Sequence, residues 1–107
     1  MKNIADIMKQ VQSMQARMAD MQTKLEGLSV KGQSGGGLVK VTMNGKGSVR
    51  AVNIDTSLMK ESEREILEDL LVAAHGDAKA KAEALAAEEM KALTGGLPLP
   101  PGLSLPF

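Results

Sequence analysis

The chain has no cysteine, tryptophan or tyrosine, and one phenylalanine, Phe107. Without cysteine there can be no disulfide framework and no thiolate metal site, which fits a reducing cytosol. Without aromatics the core must be assembled from Met, Leu, Val, Ile and Ala, which bury less area per residue. A chain of 107 residues is one domain at most, and so small a core is marginal, so association with a second copy is expected. No apolar run approaches the ~18 residues of a membrane span, and the first residues lack the apolar core of a signal peptide. The expectation is a cytoplasmic protein without a membrane partner.

Groups for catalysis are equally sparse. His75 is the one histidine and sits among Ala73, Ala74 and Ala78 on a helical stretch. Its nearest carboxylate in sequence, Asp77, is two residues away and points elsewhere on a helix, so no nucleophile–base–orienter set forms. One histidine and no cysteine likewise leave no metal site. Gly35-Gly36-Gly37 lacks the Gly-Lys-Ser/Thr ending of a phosphate loop and leads into a strand, so it reads as a flexible connection. The expectation is a non-enzymatic protein with no cofactor, no metal and no small-molecule substrate.

One sign of charge is missing from the middle of the chain. Net charge is zero, yet Leu28 to Ile54 carries Lys31, Lys40, Lys46 and Arg50 and no acid, whereas Asp55 to Leu93 carries ten acids against five bases. Neutrality thus conceals a basic region followed by an acidic one. Glu61, Glu63 and Glu65 stand where a helix begins, and the partial positive charge of that terminus favours them.

Against these gaps stands a long heptad. Ile4, Val11, Met18 and Leu25 form one column of seven-residue spacing, and Ile7, Met14, Met21 and Leu28 the other. This a/d stripe predicts a helix over residues 2 to about 26 whose apolar side must be covered by another helix. A strand-rich stretch follows: a short strand over 28–31, a flexible turn from Gln33, an alternating strand over 38–43, the hairpin signal Asn44-Gly45, and a return strand over 48–54. The apolar phase slips between Val49 and the Val52/Ile54 pair, which predicts a bulge near Arg50. Ser62-Glu-Arg-Glu65 reads as a capping box opening a second long helix, ended by Thr94-Gly-Gly. Its apolar positions Leu67, Leu71, Ala74, Ala78, Ala82, Leu85 and Leu93 follow an eleven-residue repeat interrupted by Glu89, so the two helices share a seam over part of their length only.

At ~1.5 Å per residue the helices are about 37 and 47 Å long, too long for a three-stranded sheet to cover. The expected fold class is therefore α+β: an α-β-β-β-α subunit in which a three-stranded antiparallel meander carries a protruding two-helix arm. Residues 1–94 form this domain. The tail 95–107, with prolines at 98, 100, 101 and 106, cannot be helical and is an extended Pro/Leu-rich segment, loose or laid on a neighbouring surface.

Four runs together carry a resemblance. They are Gly37-Leu-Val-Lys-Val-Thr-Met-Asn-Gly45, Val52-Asn-Ile-Asp-Thr-Ser-Leu58, Leu67-Glu-Asp-Leu-Leu-Val-Ala-Ala-His-Gly-Asp-Ala78 and Pro100-Pro-Gly-Leu-Ser-Leu-Pro-Phe107. In this order, with the Met/Gln-rich first helix, the chain resembles the YbaB/EbfC family of bacterial nucleoid-associated proteins. Thr56 and Gly76 stand where that family more usually has proline and asparagine, and His75 stands where it often has an aromatic ring. The resemblance implies a tweezer-like homodimer with two helical arms on a joined sheet body. It also implies binding of double-stranded DNA with low sequence specificity in the nucleoid, organising the chromosome and influencing gene expression. DNA contacts in the family are associated with the arms, which directs attention to Lys2, Lys9, Lys79, Lys81 and Lys91. Val39, Val41 and Met43 are the candidates for packing across the dimer. The rival expectation is an interaction adaptor whose arms clamp a protein partner.

Overall fold

A computed structural model describes residues 4–94. Lys2 and the tail 95–107 lie outside the described residues. The order is helix α1 (Ile4–Gly27), strands β1 (Ser29–Ser34), β2 (Val39–Asn44) and β3 (Val49–Ile54), and helix α2 (Arg64–Thr94). The strands form one antiparallel sheet in the order β1-β2-β3, and the body is drawn out to 71 × 23 × 17 Å. The expected α+β class, the meander and the two long helices are all present.

α2 crosses one face of the sheet over β1 and β2. Val39, Val41 and Met43 alternate toward that face and are buried with Leu58, Ala74, Ala78 and Ala82. The alanine stripe of α2 is what lets the helix come so near, because a methyl keeps the backbones closer than a longer side chain would. Gly32 completes the fit: a Cβ there would stand 2.7 Å from Ala78 Cα. A glycine inside a strand here marks close backbone approach. β1 runs on through Gln33 and Ser34, past the expected limit at residue 31, paired with Lys40 and Val39. The chain then turns through Gly35, Gly36 and Gly37, all at positive φ, a conformation that L side chains resist.

The β2–β3 turn is held by Asn44, which is buried. Its Oδ1 accepts from the backbone N–H groups of Lys46 and Ser48, both at 3.0 Å. The Gly45 N–H donates to the carbonyls of Leu25 (2.8 Å) and Leu28 (3.1 Å), fastening the end of α1 to the sheet. Met43 pairs with Val49 and Thr42 with Ala51, so Arg50 is the extra residue of a bulge, where the phase slip placed it. The bulge returns Val49, Val52 and Ile54 to one side of the sheet.

The onset of α2 differs from expectation. Glu61–Glu63 form a 3-10 turn that runs into α2 at Arg64, and its N-cap is Lys60, with no side-chain capping bond. Ser62 therefore lies inside the turn and does not open the helix.

The heptad stripe of α1 is covered over half its length. Met21 and Leu25 are buried with Ala86 and Met90, and Met18, Leu85 and Leu93 pack around them. Ile4, Ile7, Val11 and Met14 are exposed, because α2 ends level with Arg17 and Met21, which line a shallow cleft with Leu93. The residues of α1 before Arg17 run on for about 20 Å at ~1.5 Å per residue.

Candidate nucleic-acid interface

Three surfaces carry most of the cations. The first is the arm. Lys9 is exposed on the overhanging part of α1, and Lys91 is exposed in the last turns of α2. Lys24 reaches Glu89 of the opposite helix, Nζ to Oε2 2.9 Å. That pair accounts for the break in the eleven-residue repeat at Glu89, since the position faces a lysine across the seam. At the base of the arm Lys46 pairs with Glu26 at 3.2 Å.

The second surface is the β1 edge, where sequence reasoning and structure part. Lys79 and Lys81 do not join Lys9 and Lys91 on the arm. They lie where α2 crosses the sheet, between Ala78 and Ala82, which are buried against it. Lys81 is also committed locally. Its Nζ donates to the Lys31 carbonyl (2.9 Å) and to Asp77 Oδ2 (3.1 Å), and the same Asp77 oxygen accepts from the Gln33 N–H at 3.0 Å. One i,i+4 ion pair of α2 thus satisfies a carbonyl and an amide on the free edge of β1, as a fourth strand would. The Gln33 N–H, and next the Lys81 ammonium, hold the Asp77 carboxyl below its ordinary value of 3.8. Lys79 is exposed on the other flank of α2, away from the β1 edge, and borders a groove with Gly45, Lys46, His75 and Glu83.

The third surface is the face of the sheet turned from α2. Pairing places Lys31 opposite Thr42 and Gln33 opposite Lys40, then Thr42 opposite Ala51 and Lys40 opposite Asn53. Gly32 and the buried valines face α2, so these six side chains share the other face. All are exposed except Thr42, which is half-buried. Neither Lys31 nor Lys40 was among the expected contact residues. The signal for them was the acid-free stretch itself.

The expected dimer residues lie within the core of the subunit. Val39, Val41 and Met43 are already buried inside one subunit, against α2, and have no surface left for a partner. The uncovered apolar surface lies one strand further on. α2 leaves β3 open on the same face, so that Val49 and Val52 border a groove with Val41, Leu71, Val72 and His75. No strand pairs with the outer edge of β3 among the described residues.

No cluster of His, Asp and Glu able to hold a metal ion occurs among the described residues. The sequence profile of the YbaB/EbfC DNA-binding family matches residues 1–97. The chain belongs to that family. It is 56% identical to a nucleoid-associated protein of Granulibacter bethesdensis, 54% to one of Brucella ovis and 53% to one of Rhodospirillum rubrum, each over 107 residues and the full length of both chains. These relatives are named nucleoid-associated proteins, and the family is described as DNA-binding. Among solved structures, an uncharacterized protein of Helicobacter pylori superposes with a TM-score of 0.80 at 22% identity, covering 89% of this chain and 100% of that one. That likeness shows the same fold.

Proposed function

We propose that the protein binds double-stranded DNA with low sequence specificity as a homodimer, organising the bacterial chromosome and influencing gene expression from within the nucleoid. The observation that carries this reading is the spread of exposed cations, Lys9, Lys79 and Lys91, along an elongated body in a family of DNA-binding proteins. Lysines of this kind neutralise phosphates and release counterions, which gives affinity with little base readout. Membership in the family and the names of full-length relatives support it. Lys2 and Lys9 remain the proposed arm-tip contacts.

The dimer contact is proposed at β3. Its free edge and the exposed Val49, Val52 and Val72 provide hydrogen-bonding groups and apolar area on the same side of the subunit. Two-fold pairing of β3 with its copy joins two sheets into one and covers both grooves.

A gel-shift titration over salt tests the reading. Retardation of unrelated duplexes at low salt, lost steeply as salt rises, supports it. The adaptor reading keeps one specific observation in its favour, the uncovered stripe Ile4, Ile7, Val11 and Met14. It gains if no duplex shifts at low salt while a defined protein binds the arm.

A further inference from the structure

We infer that the open face of the sheet is itself a docking surface for the sugar-phosphate backbone of duplex DNA, centred on Lys31 and Lys40 and separate from the arms; this rests on the DNA-binding reading above. Three properties of the face point to that occupant.

The first is its charge. Lys31 and Lys40 are diagonal neighbours across the β1–β2 ladder, a separation of roughly 7–8 Å between backbones. No carboxylate lies between Leu28 and Ile54. The nearby Asp77 is held at the β1 edge by Gln33 and Lys81, so its charge is already answered there. Arg50 is exposed at the bulge in the third strand. The face therefore complements a polyanion.

The second is its chemistry. The neutral side chains among the lysines are Gln33, Thr42 and Asn53, whose amide N–H and hydroxyl groups donate to phosphate oxygens as they do across protein–DNA interfaces. The only apolar side chain in this set is Ala51. A second sheet or a protein partner would find almost no apolar area to bury on this face, in contrast to the valine-lined flank of β3.

The third is the missing ring. Sheet surfaces that bind single strands stack the bases on aromatic side chains. The chain's one aromatic residue is Phe107, and the face has none. Such a face grips a backbone without splaying bases, which favours the duplex over the single strand.

The test compares Lys31→Glu/Lys40→Glu with Lys9→Glu in the full chain, by fluorescence anisotropy of a labelled duplex over a salt series, with circular dichroism as the check on folding. Each lost phosphate contact removes about 0.9 from the slope of log Kobs against log salt, so the face variant is expected to lose about 1.8 for every subunit whose face meets the duplex. Lys31→Arg/Lys40→Arg is expected to keep both affinity and slope. In the wild-type protein, duplex DNA is expected to shift the amide NMR signals of Thr42, Ala51 and Asn53, and a single strand of equal length to shift them less. If the face variant binds with unchanged affinity and slope while Lys9→Glu is weakened, the arms bind DNA and the face does not. A face that meets another protein gives that same unchanged result. If the wild-type chain binds no duplex at low salt, the DNA-binding reading itself fails and takes this inference with it.

Discussion

Val41 and Val52 stand directly opposite each other on neighbouring strands, yet Val41 is 2% exposed and Val52 45%. Paired residues share a face, so what separates them is only the path of α2, which covers β2 and stops short of β3. The same face is core on one strand and surface on the next.

Val52 and Val41 are therefore expected to respond differently to a charge. Val52→Asp leaves the helical signal in circular dichroism intact but converts the dimer to monomer in light scattering. Val41→Asp places a carboxylate against Ala74 and Ala78 with no partner and abolishes folding. The milder Val41→Ala costs about 2 kcal/mol in denaturant unfolding. A dimer that survives Val52→Asp unchanged would remove β3 from the interface.

Gly32→Ala tests how closely the helix rides on the sheet. The added methyl meets the backbone of Ala74 and Ala78, which cannot turn aside as a flexible side chain can. The expected cost is about 3 kcal/mol or more. An alanine variant as stable as the parent would mean that the helix sits further from the strand than described.

Asp77 makes the β1 edge sensitive to acid. Its carboxyl is held below 3.8, first by the Gln33 N–H and then by Lys81, so the folded state releases its proton more readily than the unfolded chain. The stabilisation is complete above the ordinary carboxylate value and is lost as the pH falls below about 4 through the lowered one. Asp55 behaves alike, held down by the Ser57 hydroxyl and then its N–H. The protection of the Gln33 amide relative to its intrinsic exchange rate is expected to fall in that acid range, and Asp77→Ala to show the lower protection at neutral pH as well. Equal protection in the two proteins would show that the edge is not sealed by this carboxylate.

In the arm, apolar burial outweighs the ion pair. The Lys24 side chain is 58% exposed in its contact with Glu89, so Lys24→Ala is expected to cost under about 1 kcal/mol. Met21→Ala, in the buried part of the seam, is expected to cost about 3 kcal/mol. Thermal unfolding of the two variants ranks them.

Much of the fold was legible in the chain because its signals are local. The heptad marks α1, the Asn44-Gly45 pair marks the hairpin, and the slipped phase of Val49 and Val52 marks the bulge at Arg50. What was not legible depends on where elements end relative to one another. Seven-residue spacing does not say that α2 stops level with Arg17, so half of the stripe stays uncovered. Alternation in β2 identifies Val39, Val41 and Met43 as a buried set but not whether their own helix or a second copy buries them. Gly32 falls between the expected strand and the expected turn, and its role shows only when a helix is laid on it. Glu89 reads as an interruption until Lys24 faces it. For the candidate interface, the lysines were visible as residues, but the commitment of Lys81 to the edge of β1 and the sharing of one face by Lys31 and Lys40 come from strand register.

The most direct measurement is the binding of two duplexes of equal length and unrelated sequence, followed by anisotropy from about 50 to about 200 mM salt. Equal affinities for the two, falling together along one steep line of log Kobs against log salt, are the predicted result. A strong preference for one sequence, or an affinity that ignores salt, would contradict a protein that holds DNA by its phosphates.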